Sequence, residues 1–155
     1  MNSMATIHIA TTSSEQTEHI AEKIGAQLRG GEVIELSSDL GGGKTTFTRG
    51  LARGAGSTDR VASPTFTISR EYQASRFTIA HFDFYRLGEA GIVGDEFEEI
   101  IGDPAYVTVA EWSGVVQDVL PKERLTIQIA QGGEDKRELT LTWPKALNYL
   151  MEGVN

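Results

Sequence analysis

Two rhythms of apolar and polar residues run along the chain. Thr17, Ile20, Ala21, Ile24 and Leu28 recur at helical spacing, and Thr12 with Glu15 offers a capping box ahead of them. Gly30 and Gly31 are expected to stop that helix, because glycine reaches the left-handed conformation without a Cβ clash. Residues 46–53 read as a second helix, closed by Gly54 and Gly56. Strand-like stretches occupy 5–10, 32–37, 65–72, 76–85, 106–110, 124–130 and 137–143. Gln73-Ala74-Ser75 is expected to turn one hairpin and Gly132-Gly133 another. A short acidic helix is expected at 96–101, and one at 115–120 halted by Pro121. A last helix is expected over 144–151, beginning at Pro144, where the missing N–H costs nothing. Helices interleaved with strands predict an α/β sandwich, and the two hairpins predict a mixed rather than purely parallel sheet.

Composition narrows the class. The chain has 155 residues, 39% of them apolar, which suits one domain spanning 1–155 around one core. No apolar run approaches the roughly 20 residues of a membrane helix. Residues 1–10 lack the layout of an export signal, so a cytoplasmic protein is expected. With no cysteine, disulfides, thiolate nucleophiles and thiolate metal sites are excluded. The formal charge of -8 disfavours independent binding to a polyanion. Yet residues 44–86 carry seven basic and three acidic side chains, and residues 87–118 carry eight acids and no Lys or Arg. That polarity is either an ordinary solvated surface or a basic region near phosphates with an acidic face for a protein partner.

The most informative stretch is Ser38-Asp39-Leu40-Gly41-Gly42-Gly43-Lys44-Thr45-Thr46, lying between an apolar strand and a helix. In that order the glycines let consecutive N–H groups converge on phosphate oxygens, and the helix N-terminus adds its own donors. Lys44 would bring a charge to the outer phosphates, Thr45 a hydroxyl to magnesium, and Thr46 a contact to an inner phosphate. The expected ligands are therefore ATP and Mg2+. Ser38 stands where the phosphate-loop pattern has its first glycine, which predicts an altered loop entrance or strain of about 1 kcal/mol.

Hydrolysis also requires magnesium to be held and a water or acceptor to be oriented. Asp83 and Glu111 each close an apolar strand, and strand ends of this kind converge on the ligand crevice. Either carboxylate could bind magnesium, directly or through water, while the other orients water. His81 alternates with Phe77 and Ile79, so it reads as a general base or as a structural imidazole. Thr65, within Ser63-Pro64-Thr65-Phe66, could sense the terminal phosphate, or Pro64 could simply fix a turn. Trp112 is either a partner anchor or a core ring.

Together these motifs resemble the TsaE family, formerly YjeE, the ATPase component of bacterial tRNA threonylcarbamoyladenosine synthesis. The resemblance rests on residues 39–47, on Ser63-Pro64-Thr65-Phe66-Thr67, on His81-Phe82-Asp83-Phe84-Tyr85-Arg86-Leu87, on Glu111-Trp112 and on residues 120–125. It implies a P-loop nucleoside triphosphate hydrolase fold, a three-layer sandwich with a mixed central sheet. It also implies that Lys44, Thr45 and Thr46 serve nucleotide and magnesium, and that Asp83 and Glu111 are the functional acids. Residues 63–67 would match the family's switch, and Trp112 a position beside the active site. The implied partners are TsaB and TsaD, with tRNA reached only through that complex, and hydrolysis that is weak until a partner completes the site.

Two other functions share much of this signature. A small-molecule kinase would use the same Lys44, Thr45 and a carboxylate, but would need an acceptor pocket and a basic lid, and residues 87–118 supply no basic lid. A nucleotide-gated assembly module would bind without appreciable hydrolysis. A GTPase is disfavoured, because no Asn-Lys-x-Asp segment is present.

Overall fold

Apolar alternation sets the described strands close to where the sequence places them, while residues 65–68 and 85 of the expected strands lie outside the described residues. The computed structural model describes residues 3–38, 43–62, 69–84, 97–111, 117 and 119–154. In chain order it contains β1 (Met4–Thr11), α1 (Ser14–Gln27), β2 (Val33–Ser38), α2 (Lys44–Gly54), β3 (Ser69–Gln73), β4 (Thr78–Asp83), β5 (Tyr106–Glu111), β6 (Leu125–Gln131) and β7 (Arg137–Pro144). A 3-10 helix, Lys145–Met151, follows. The strands form a single sheet in the order β1-β7-β6-β2-β5-β4-β3. Its centre, β6-β2-β5-β4, is parallel, while β1, β7 and β3 join antiparallel. The sheet is mixed, as the two hairpins predict.

Both faces of the parallel centre are covered, which is why residues 33–36 of β2 and 107–111 of β5 are buried in succession. One face carries Ile34, Leu36, Ile79, Val107, Val109, Leu125 and Ile127 against Ile24 of α1 and Phe47 and Leu51 of α2. The other carries Val33, Ala80, Phe82 and Ala110 with Phe84, Phe97 and Leu120. There the Phe97 ring meets Phe82 and Phe84 edge-on, with centroids at 5.0 and 5.5 Å. Residues 97–100 are helical, within the acidic helix expected at 96–101, of which residue 96 lies outside the described residues. Of the helix expected over 115–120, Gln117 and Val119 take 3-10 conformation, Leu120 is in a bend, and residues 115, 116 and 118 lie outside. No described helix is long and apolar enough to cross a membrane.

Three local expectations are corrected. The cap of α1 is Ser13, one residue past Thr12, because β1 keeps pairing through Thr11 and Ser13 is the first residue free to take the extended cap geometry. Its Oγ accepts from the Gln16 N–H at 3.2 Å, and Gln16 Oε1 accepts from the Thr12 N–H at 2.7 Å. The same helix ends at Leu28, ahead of the two glycines, whose positive φ angles of 110° and 92° shape the turn into β2. Glu32 secures that turn by accepting from the N–H groups of Arg29 and Gly30 at 2.8 and 2.7 Å.

The third correction concerns the C-terminal helix, which is 3-10, with Pro144 as its extended N-cap rather than its first helical residue. β7 pairs with β1 as far as Pro144, so the helix cannot begin earlier. Trp143 donates from Nε1 to Asn148 Oδ1 at 2.8 Å, and the Tyr149 hydroxyl donates to Glu32 at 2.6 Å.

Candidate functional site

The parallel strands β2, β5 and β4 end at one edge of the sheet. Glu111 pairs in register with Leu36 on one side and with Asp83 on the other. The two carboxylates singled out by sequence are thus neighbours, and β2 runs two residues further to Ser38. Ser38 closes that strand opposite Ile129, in extended backbone where a side chain costs nothing. The strain expected for a serine at this position is therefore absent.

Gly43 is the N-cap of α2, with φ 105° and no side-chain capping bond among the described residues. A glycine is needed there, since residues with a Cβ rarely adopt that φ. An N-terminus left without a side-chain cap presents its backbone donors to an anion. Lys44 follows, 7% exposed, and its Nζ donates to Ser38 Oγ at 3.0 Å. Thr45 and Thr46 are half-buried on the first turn. Asp39, Leu40, Gly41, Gly42, Thr65 and Trp112 lie outside the described residues.

The buried carboxylate of Glu111, 2% exposed, is met by His81, which is wholly buried. His81 Nε2 faces Glu111 Oε2, and His81 Nδ1 lies 3.1 Å from the Tyr72 hydroxyl. That hydroxyl donates to the Ala62 carbonyl at 2.9 Å. Burial raises the Tyr72 phenol above its ordinary value, so it keeps its proton as a donor. His81 is thus a buried partner of Glu111, in keeping with the structural-imidazole alternative. Asp83 is half-buried at the strand end. Among the described residues, no three His, Cys, Asp or Glu side chains form a metal-holding group. The donors present are hard oxygens, Thr45, Asp83 and Glu111, the kind that magnesium takes with phosphates and water rather than from a full protein cage.

Beside the loop lies a cleft that the sequence did not disclose, lined by Ser14 and Thr17 of α1, Gly43 and Thr46, and Asp135 and Arg137 of the β6–β7 hairpin. Arg137 Nη1 donates to the carbonyl of Lys136 at 2.8 Å, with longer contacts to those of Gly133 and Glu134 at 3.4 Å. These residues are ordinary polar letters of a helix start and a turn. The pairing of β1 with β7, Thr11 opposite Arg137, and of β2 with β6, Ser38 opposite Ile129, brings them beside Gly43.

The model of the family described as threonylcarbamoyl adenosine biosynthesis protein TsaE matches residues 11–139. The chain belongs to the TsaE family. A TsaE protein of Bacillus subtilis is 41% identical over 136 residues, covering 85% of this chain and 82% of the relative. One from Nostoc is 34% identical over 140 residues, covering 86% and 84%. The crystal structure of Bacillus subtilis YdiB superimposes with a TM-score of 0.81 at 34% identity, covering 99% of this chain and 97% of that one. The central mixed sheet and the strand–glycine–helix order agree with the P-loop NTPase-like fold expected of TsaE.

Proposed function

We propose that this TsaE chain is a cytoplasmic, magnesium-dependent ATPase that forms ADP and phosphate within a tRNA-modification complex. It would act with TsaB and TsaD in making threonylcarbamoyladenosine next to the anticodon, driving or resetting the complex while the transfer itself occurs elsewhere. Residues 1–155 would form one domain, a three-layer sandwich. The observation that carries this reading is the meeting of Glu111 and Asp83, paired across β5 and β4, with the phosphate-loop strand and Lys44 at one sheet edge.

In this reading the backbone of Gly41, Gly42 and Gly43 cradles the phosphates, flanked by Ser38, Asp39 and Leu40. Lys44 neutralises the outer oxygens and Thr46 holds an inner phosphate. Thr45 and one of the two acids, Asp83 or Glu111, would hold magnesium, which supplies charge neutralisation at the phosphates. Whichever acid is not on the metal orients the attacking water, and Thr65 senses the terminal phosphate. The cleft bounded by Thr17, Asp135 and Arg137 takes the nucleoside end of ATP.

The test is phosphate release by the chain alone and with TsaB, TsaD and tRNA. Partner-stimulated turnover should fall by at least about a hundredfold in Glu111→Ala and Asp83→Ala, with ATP binding retained. Lys44→Ala should weaken ATP binding in a calorimetric titration. No stimulation despite assembly would leave the assembly-module reading, and a phosphorylated small molecule would leave the kinase.

A further inference from the structure

We propose that Tyr72 and His81 are positioning residues for Glu111, forming a buried hydrogen-bonded tie between its carboxylate and the backbone carbonyl of Ala62. The proposal rests on the reading of Glu111 as a functional acid. Its members come from three adjacent strands and the loop before them: Glu111 on β5, His81 on β4, Tyr72 on β3, and Ala62. The three side chains are each no more than 2% exposed, so water does not compete for these bonds.

Counting protons fixes the direction of the chain. The single Tyr72 hydroxyl proton goes to the Ala62 carbonyl, 2.9 Å away. The hydroxyl oxygen then accepts from His81 Nδ1–H at 3.1 Å. With Nδ1 protonated, Nε2 is turned to Glu111, and one further proton lies between Nε2 and Oε2. Each donor and acceptor of the tie thereby has a partner, and Glu111 is held through Oε2.

Stability alone gives no reason for such a chain. A buried imidazole–carboxylate pair must be desolvated, and well-packed apolar side chains of similar volume usually hold a core equally well or better. Metal-side and catalytic carboxylates, by contrast, depend on outer hydrogen bonds for orientation, and losing one typically costs 10–100-fold in affinity or activity. Ala62 is also the residue before Ser63, so the tie reaches from Glu111 to the start of the segment likened to the family's switch.

Two substitutions at one position separate orientation from packing. His81→Gln keeps an N–H donor near the Nε2 position and gives up Tyr72. His81→Asn keeps a group near Nδ1 and gives up Glu111. With the partner complex, His81→Gln should lower kcat about tenfold and His81→Asn, which also releases Glu111, about 100-fold, with KM for ATP little changed in both. Tyr72→Phe, which removes only the hydroxyl, should lower kcat about tenfold at unchanged KM.

Equal kcat in His81→Gln and His81→Asn, or wild-type kcat in Tyr72→Phe, would overturn the tie. Amide hydrogen exchange over residues 57–62 provides a readout independent of turnover. Glu111→Gln should speed it, and unchanged exchange would count against the proposal. A wild-type chain without ATP turnover would refute the ATPase reading, and the exchange experiment would still decide the tie.

Discussion

The Lys44 ammonium rests on the Ser38 hydroxyl, 3.0 Å away, folded back over the end of the strand that precedes it. A flexible four-carbon stem is costly to immobilise, so a neighbour that holds it in place favours phosphate binding. Ser38→Ala should therefore weaken ATP binding about three- to tenfold, the loss of roughly 1 kcal/mol from one charge-assisted hydrogen bond. Calorimetric titration checks this, and tighter binding by the variant would mean that the serine competes with the phosphates. The sequence marks Ser38 only as a departure from glycine, because a consensus carries no backbone angle. It marks Lys44, Asp83 and Glu111 correctly as residues at strand and helix ends. Tyr72, Arg137 and Thr17 escape it, since their neighbours lie on strands and helices distant in the chain.

At the scale of elements, α1 and α2 approach as closely as backbones permit. A Cβ on Gly50 would lie 2.3 Å from the Glu18 carbonyl oxygen, and one on Gly54 would lie 2.0 Å from that of Glu22. Gly25 meets the Leu51 carbonyl oxygen in the same way, at 2.1 Å. Gly54→Ala gains up to about 1 kcal/mol of helix propensity. It also drives a methyl into backbone that cannot yield, at about 1–3 kcal/mol. The net expectation is a lower urea midpoint for Gly54→Ala, and a raised midpoint would show that the helices can part.

This packing matters for the site because α1 carries Ser14 and Thr17, and α2 carries Thr46, into the same cleft. Strands and helices were legible from periodicity, which follows directly from side-chain direction. The α1 boundaries were less so, since Thr12, Ser13 and Ser14 all resemble caps, and the extent of β1 pairing decides among them. Gly54 reads in the sequence as a helix stop, whereas its principal role is this close contact.

Across the whole molecule, the turn after α1 and the final 3-10 helix meet around Glu32. Its carboxylate accepts from two backbone N–H groups and from the Tyr149 hydroxyl, while the Arg29 guanidinium lies 3.9 Å above the Tyr149 ring centre. Burial, and then the bond to Glu32, raise the Tyr149 phenol well above its ordinary value. A raised folded value means that the unfolded chain loses its phenolic proton first. The stabilisation is then full below about pH 10 and is lost as pH rises beyond it. Tyr149→Phe should lower stability at pH 7 by about 1–2 kcal/mol. It should also flatten the decline in thermal midpoint above pH 10, and an unchanged slope would remove Tyr149 as its cause.

One member of the basic stretch is neutralised by folding. Arg53, in the basic stretch, pairs with Glu18 and Glu22 of α1 at 3.3 and 2.9 Å. Chain order alone could not reveal that neutralisation.

The buried indole of Trp143 offers an optical consequence. It lies near the end of β7, while Arg137 opens that strand beside Gly43. Six residues of extended chain separate the two, roughly 20 Å at the usual strand rise. With Trp112 replaced by Phe, the remaining emission comes from a ring held 2.8 Å from Asn148 Oδ1. Its colour and intensity should stay constant as nucleotide is added and change only when the sheet melts. Such a variant would separate ligand occupancy from loss of the fold in one cuvette.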